Sequence, residues 1–310
     1  MSLLADYLKI ARVDHWIKNI FVLPGFLVAV AIDPARRHAL DPLRTVEGLL
    51  AVCLASSSNY VLNELLDAPA DRLHPHKASR PAASGRVNRI AGYAEWLLLI
   101  AAAVALGLAV SRTFTLTLVA LWLAGCAYNV PPLRTKDVPY LDVISEAVNN
   151  PIRMLSGWYL TLTEAAPIAS LLASYWLAGC YLMAIKRFAE FRELAPEVLA
   201  RYRRPFAFYS ERGLLTSIVF YGASTMLFLG AFIVRYRLEL VLSFPLIAAV
   251  MAVYFWLSFQ PRSPVQNPER LYREPWLMAF VLLCAAAMAA LLFIDVPLLH
   301  RMFVPTQAGP

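Results

Sequence analysis

Between residues 63 and 81 the chain reads NELLDAPADRLHPHKASRP, three carboxylates and an amide followed by a run of basic side chains. On an ideal helix Asn63, Glu64, Asp67 and Asp71 fall within about 100° of arc, so four oxygen-bearing side chains share one face. Like charges at four-residue spacing repel one another unless a cation lies between them. All four are therefore candidate ligands of Mg²⁺, a hard cation that commonly joins one or two carboxylates to a substrate phosphate. Pro69 removes a helical hydrogen bond and disfavours helix at Ala68, so Asp71 is expected from a loop or an irregular turn. Arg72, His74, His76, Lys77, Arg80 and Arg86 then invert the sign. Guanidinium and ammonium groups beside an acidic metal face make a receptor for a polyphosphate, arginine bonding in a planar fork and lysine as a point charge. His74 and His76 lack a third nitrogen or sulfur ligand nearby and are not read as a zinc site.

A second polar group lies in YLDVISEAVNNPIRMLSGWYL, which carries Asp142, Glu146, Asn149, Asn150 and Arg153 inside an apolar stretch. Charges at membrane depth are expensive and by default mark a site facing a bundle interior, with a structural pairing of Arg153 and an acid as the alternative. The preceding YNVPPLRTKDVPYLD supplies Tyr128, Arg134 and Lys136, and RVDHWIKN near the start supplies Lys18 and Asn19. Lys18 could equally snorkel to the membrane interface.

These groups must be held by membrane helices. Sixty per cent of the 310 residues are hydrophobic, above the usual soluble range of about 45–50%. Apolar windows long enough to cross the hydrocarbon predict about nine spans, near 19–35, 44–65, 88–110, 113–129, 139–161, 168–187, 213–234, 239–260 and 275–297. The expected fold is all-α, a polytopic bundle around a cytoplasm-facing polar cavity. It forms a single domain over 1–310, with cap loops near 66–90, 130–138 and 186–212. No signal-peptide pattern precedes the first span, which is expected to stay in place.

Most of the 28 Lys and Arg fall in the loops on the N-terminal side, which puts the N-terminus, the even-to-odd loops and the mouth of the active site on the cytoplasmic side of a plasma (inner) membrane protein. The net charge of +7 is thus accounted for by orientation and by phosphate or lipid affinity, and nucleic acid is not an expected partner. Cys53, Cys126, Cys180 and Cys284 each sit in a different apolar stretch and read as small buried hydrophobes. Phe188, Phe191, Leu194, Val198 and Tyr202, spaced by three or four with bases between them, predict an interfacial helix interrupted at Pro196. The sequence admits a homo-oligomer.

The acidic stretch with its basic tail resembles the first aspartate-rich motif of the UbiA-type intramembrane prenyltransferases, NDxxDxxxD followed by an arginine-proline pair. Glu64 stands where that pattern has aspartate. About nine helices and the bases ahead of the fifth span extend the resemblance over nearly the whole chain. Members that use a prenyl diphosphate carry a second DxxxD-type motif at the end of span six, where this chain has MAIKRFAEFRE, with Lys186, Arg187, Glu190, Arg192 and Glu193. Basic residues there favour direct binding of an anion over a second metal. With HPHK and RVDHWIKN, this is similar to the decaprenyl-phosphate phosphoribosyltransferase branch.

That resemblance implies Mg²⁺-dependent transfer of 5-phosphoribosyl from phosphoribosyl pyrophosphate (PRPP), or a related donor, to a polyprenyl phosphate with loss of pyrophosphate. Asp67, Asp71, Lys77 and Arg80 would stabilise the leaving group, and Lys186 and Arg187 would position the acceptor phosphate, with Glu190 beside them in the substrate site. Lys18, Asn19, Asn63, Arg72, Tyr128, Lys136, Asp142 and Arg153 would complete the substrate site. The alternatives are prenyl transfer to an aromatic acceptor and a non-catalytic lipid-phosphate carrier.

Overall fold

The computed structural model describes residues 3–33, 40–72, 77–161, 165–193, 204–266 and 268–303, with the side chains of Leu3 and 268–270 left aside. His74, His76, Leu194, Val198 and Tyr202 lie outside the described residues. Every regular element among the described residues is helical. The α-helices are α1 (Leu3–Ile10), α2 (Leu23–Ile32), α3 (Pro42–Asp71), α4 (Arg89–Val110), α5 (Arg112–Asn129), α6 (Leu141–Ala147) and α7 (Asn149–Leu160). They continue as α8 (Ala169–Glu193), α9 (Glu211–Tyr236), α10 (Phe244–Leu257), α11 (Pro275–Leu291) and α12 (Pro297–Phe303). By contacts the chain forms two compact units, Met1–Pro167 with Leu194–Thr216, and Ile168–Glu193 with Ser217–Pro310.

Each expected span finds helix at its position. Among the described residues six helical stretches are long and apolar enough to cross a membrane: Leu4–Ile32, Pro42–Asp71, Arg89–Val110, Ala169–Glu193, Glu211–Tyr236 and Leu238–Leu257. Pro275–Leu291 is apolar but shorter. The expected fifth span is interrupted between α6 and α7 at Val148. Pro151 offers no N–H to the Ala147 carbonyl and disfavours helix just before itself, which accounts for a break there. Leu97, Leu98, Leu116 and Leu123 on α4 and α5 are exposed, as lipid-facing side chains would be.

Helix starts follow capping chemistry. Asp41 Oδ1 accepts from the Leu43 and Arg44 amides at 2.9 and 3.4 Å, with Pro42 opening α3. Asn88 does the same for Ile90 and Ala91 at the start of α4, at 2.8 and 3.2 Å. At the other end α3 departs from the sequence expectation, because the helix runs through Pro69 to Asp71. Proline so near the C-terminus removes one hydrogen bond, to the Leu65 carbonyl, and the final turn survives.

The first unit has two apolar clusters. Val22, Ala51, Val52, Ala55, Ala103, Val110, Phe114, Leu118, Leu121 and Leu160 pack the inner half. Ile10, Ala11, Val61, Leu65, Ala68, Ala82 and Val87 pack beneath the acidic end of α3. Helices α2 and α7 meet backbone to backbone: a Cβ on Gly157 would overlap the Val22 carbonyl, and one on Gly25 would overlap that of Met154. Glycine is required there so that α7 can present Arg153 toward the N-terminal segment. That segment, Val13–Val22, is an unusually long 3₁₀ helix entered through Arg12 in the left-handed region (φ 48°).

In the second unit Phe188 is fully buried on α8, against Phe255 and Phe259. The predicted interfacial helix is thus, up to Glu193, a continuation of the long apolar helix, with Phe188 in its core.

Candidate active site

The last turns of α3 carry the acidic motif, and each carboxylate already faces a cation. Lys136 Nζ donates to Asp67 Oδ1 at 2.6 Å and to Asn129 Oδ1 at 2.9 Å. Arg134 Nη2 donates to the same Asp67 oxygen at 3.2 Å and is steadied through Nε on Asp137 (2.9 Å) and Nη1 on the Asn129 carbonyl (3.1 Å). Asn63 Nδ2 donates to Asn129 Oδ1 at 2.6 Å. Lys136 Nζ lies 6.0 Å from the Tyr128 ring centroid. Asn129 thus joins α3 to the basic loop, and a buried lysine is held between an amide and a carboxylate.

One turn further on, Arg80 Nη1 pairs with Asp71 Oδ2 at 2.7 Å, and Asp71 is only 6% exposed. Arg72 turns away, its Nε on the Ala83 carbonyl at 2.8 Å. Lys77 is half-buried. Glu64 has both oxygens turned to the fold: Oε1 accepts from the Ala82 amide at 3.4 Å and Oε2 faces Arg12 Nη2 at 3.6 Å. Arg86 Nε sits 3.2 Å from both oxygens of Asp6, which ties α1 to the loop after α3.

Deeper along α3 is a second, largely buried network. Asn19 Oδ1 accepts from Ser56 Oγ and from Arg153 Nε, both at 3.0 Å, while its Nδ2 points to Cys53 Sγ at 3.2 Å. Trp16 Nε1 donates to Ser57 at 2.9 Å, and Lys18 Nζ lies 3.2 Å from His15 Nδ1. Arg153 is thus held by an amide rather than by the acid of the alternative structural pairing. Asp142, fully buried, accepts a short hydrogen bond from the Tyr209 hydroxyl, which itself accepts from the Tyr140 amide at 3.1 Å. Asp142 thereby anchors the 204–210 segment.

Among the described residues, three of the four non-glycine residues with positive φ, Arg12, Arg134 and Tyr140, border this constellation. Each such conformation costs about 1–3 kcal/mol and persists where the surroundings over-determine it, a pattern concentrated at functional sites.

Asp67, Asp71, Lys136, Arg80 and Asn63 therefore come together, with Asn19 and Arg153 on the deeper network. Lys186, Arg187 and Glu190 belong to the second unit, where Arg187 Nη1 donates to Glu190 Oε2 at 3.0 Å and both are buried. Arg12, Asn129 and Tyr209 are additions to the candidate set, and Arg134 takes a place on Asp67. Arg12 and Arg134 were visible as basic residues in the right segments, whereas Asn129 and Tyr209 acquire a role only through contacts across the sequence.

No group of three or more His, Cys, Asp or Glu near enough to cage a metal occurs among the described residues. Two carboxylates one turn apart, with Asp71 Oδ1 accepting nothing among the described residues, suit a different arrangement: Mg²⁺ held by one or two protein oxygens and completed by substrate phosphates.

The UbiA prenyltransferase family model matches residues 21–283. The chain belongs to the UbiA prenyltransferase family. Among its relatives, y4nM of Sinorhizobium fredii is 32% identical over 52% of this chain and 30% of that protein. The decaprenyl-phosphate phosphoribosyltransferase of Mycolicibacterium smegmatis is 28% identical over 67% of this chain and 64% of that protein. The chain therefore spans less than two thirds of either relative. A solved UbiA homolog from Archaeoglobus fulgidus, bound to GPP and Mg²⁺, shares the fold with a TM-score of 0.71 at 20% identity, over 93% of this chain and all of that one. The multi-pass membrane architecture follows from the apolar helices and the UbiA family together.

Proposed function

We propose that this UbiA-family protein transfers 5-phosphoribosyl from PRPP to a polyprenyl phosphate, releasing pyrophosphate, on the cytoplasmic side of the plasma membrane. The observation that carries this reading is the end of α8. In the resemblance to prenyl-diphosphate users an acidic metal motif is expected there, whereas Lys186, Arg187 and Arg192 stand in its place, with Glu190 already bonded to Arg187. The phosphoribosyltransferase relative supports the same branch.

In the proposed reaction the ribose C1–O bond to pyrophosphate breaks, its electron pair leaving with the pyrophosphate. An oxygen of the lipid phosphate forms the new bond to C1. A phosphate monoester, with a second pKa of about 6, is largely ionised at neutral pH and needs no strong base. Asp67 and Asp71 would hold Mg²⁺, which supplies charge neutralisation on the diphosphate when bound. Lys136, Arg134 and Arg80, released from the carboxylates they face, would donate to the phosphate oxygens together with Lys77. Lys186 and Arg187 are assigned to the acceptor phosphate.

Prenyl transfer from a prenyl diphosphate to an aromatic acceptor is the second reading, favoured by the GPP-bound fold relative. Membranes containing the protein, given Mg²⁺, labelled PRPP and a polyprenyl phosphate, should yield a labelled lipid. Product formed only from a prenyl diphosphate and an aromatic acid would replace this reading with the second, and binding without any transfer would indicate a carrier.

A further inference from the structure

The break at Val148 sets Glu146 at the end of α6 and Arg153 on α7, seven residues apart and on nearly one face. Arg153 is 9% exposed. Its Nε is used by Asn19, and among the described residues its two Nη groups donate to nothing. The half-buried Glu146 carboxylate makes no hydrogen bond or ion pair among the described residues, with Arg153 or otherwise. Arg153 is joined through Asn19 Oδ1 to Ser56, one turn before Tyr60 on the same face of α3, and Tyr60, whose ring lies 5.8 Å from the Arg12 guanidinium, makes no hydroxyl hydrogen bond among the described residues. Asn149 Nδ2 donates to the Glu146 carbonyl at 2.9 Å, and the buried Asn149 Oδ1 has no donor among the described residues.

Ionisable groups inside a membrane domain normally pair with one another or with backbone. Here a carboxylate, a guanidinium and a phenol converge with bonding capacity unspent, which is costly in a low-dielectric interior unless a ligand completes them. The chemistry of that ligand is narrow. An isoprenoid or aromatic ring offers nothing to these groups. An ionised phosphate has no proton to give the Glu146 carboxylate, and a metal cation has no acceptor for the Arg153 guanidinium. A neutral group bearing adjacent hydroxyls satisfies all three, the carboxylate accepting from hydroxyls and the guanidinium and phenol donating to their oxygens. Tyr60 precedes Asp67 by seven residues on α3, a rise of about 10 Å, commensurate with a diphosphate joined to a pentose ring.

We propose that Glu146, Tyr60 and Arg153 form a subsite for the sugar hydroxyls of the donor, separate from the phosphate groups at Asp67 and Asp71. This rests on the glycosyl-donor reading above and adds the residues that recognise the sugar.

The test is binding of PRPP and of inorganic pyrophosphate, both with Mg²⁺, to the full-length protein in lipid nanodiscs. Wild type should bind PRPP more tightly than pyrophosphate. Glu146→Gln and Tyr60→Phe should each weaken PRPP by about tenfold or more, the scale of a lost hydrogen bond at a desolvated site, and leave pyrophosphate affinity unchanged. A wild type that prefers PRPP while both variants weaken neither ligand, or weaken both equally, overturns the subsite alone. A wild type with no preference for PRPP overturns the donor reading and the subsite with it.

Discussion

Replacing Lys136 by methionine keeps the length and volume of the side chain and removes only its charge and donors. Lys136 Nζ makes two hydrogen bonds, to Asp67 at 2.6 Å and Asn129 at 2.9 Å, at a position 6% exposed. Hydrogen bonds to charged groups contribute about 1.5–3 kcal/mol each, and Arg134 remains 3.2 Å from Asp67 to compensate part of the loss. A net penalty of about 2–3 kcal/mol in the stabilisation of the diphosphate leaving group corresponds to a fall of about 30- to 150-fold in kcat/KM. The assay is initial-rate transfer in nanodiscs at saturating Mg²⁺, with a thermal unfolding curve of the same preparation to exclude loss of fold. Activity within about threefold of wild type would show that Lys136 merely ties the loop to α3, and the charge-neutralisation argument would fail.

Asp67→Asn should lower turnover by about 100-fold or more and raise the Mg²⁺ requirement, since it removes a hard donor and the charge facing Lys136. An unchanged Mg²⁺ titration would refute the metal assignment. Gly157→Val should cost about 1–3 kcal/mol or more of stability by denaturant titration, because its Cβ would meet the fixed Val22 carbonyl. An unaltered midpoint would mean that α2 and α7 are free to separate. Tyr209→Phe removes the hydroxyl that donates to Oδ1 of the fully buried Asp142 and should destabilise by about 1–3 kcal/mol. Arg12→Gly should be more stable than Arg12→Ala by about 1 kcal/mol, because φ of 48° suits glycine, although both lose the pairing with Glu64.

The sequence revealed the acidic motif because its residues are local: Asn63, Asp67 and Asp71 lie within three turns of one helix and needed only periodicity and an apolar run to be placed. Pro69 misled, since a proline rule written for helix interiors has little force in a final turn. The end of the hydrophobic run at 187 suggested a change of element, yet α8 continues to Glu193 because Phe188 finds Phe255 and Phe259, partners far away in the chain. The same limit explains Asn129 and Tyr209. Nothing near Asn129 marks it as the shared acceptor of Asn63 and Lys136, and Tyr209 gains its meaning from Asp142, 67 residues earlier.

The most direct test is a mass spectrum of the lipid fraction after purified protein in nanodiscs has been incubated with Mg²⁺, PRPP and a polyprenyl phosphate. A polyprenyl phosphate heavier by one phosphoribosyl unit, absent when Mg²⁺ is chelated and in Asp67→Asn, is the predicted result. An unmodified lipid in wild type, alongside prenylated product when a prenyl diphosphate and an aromatic acceptor are supplied, would contradict it.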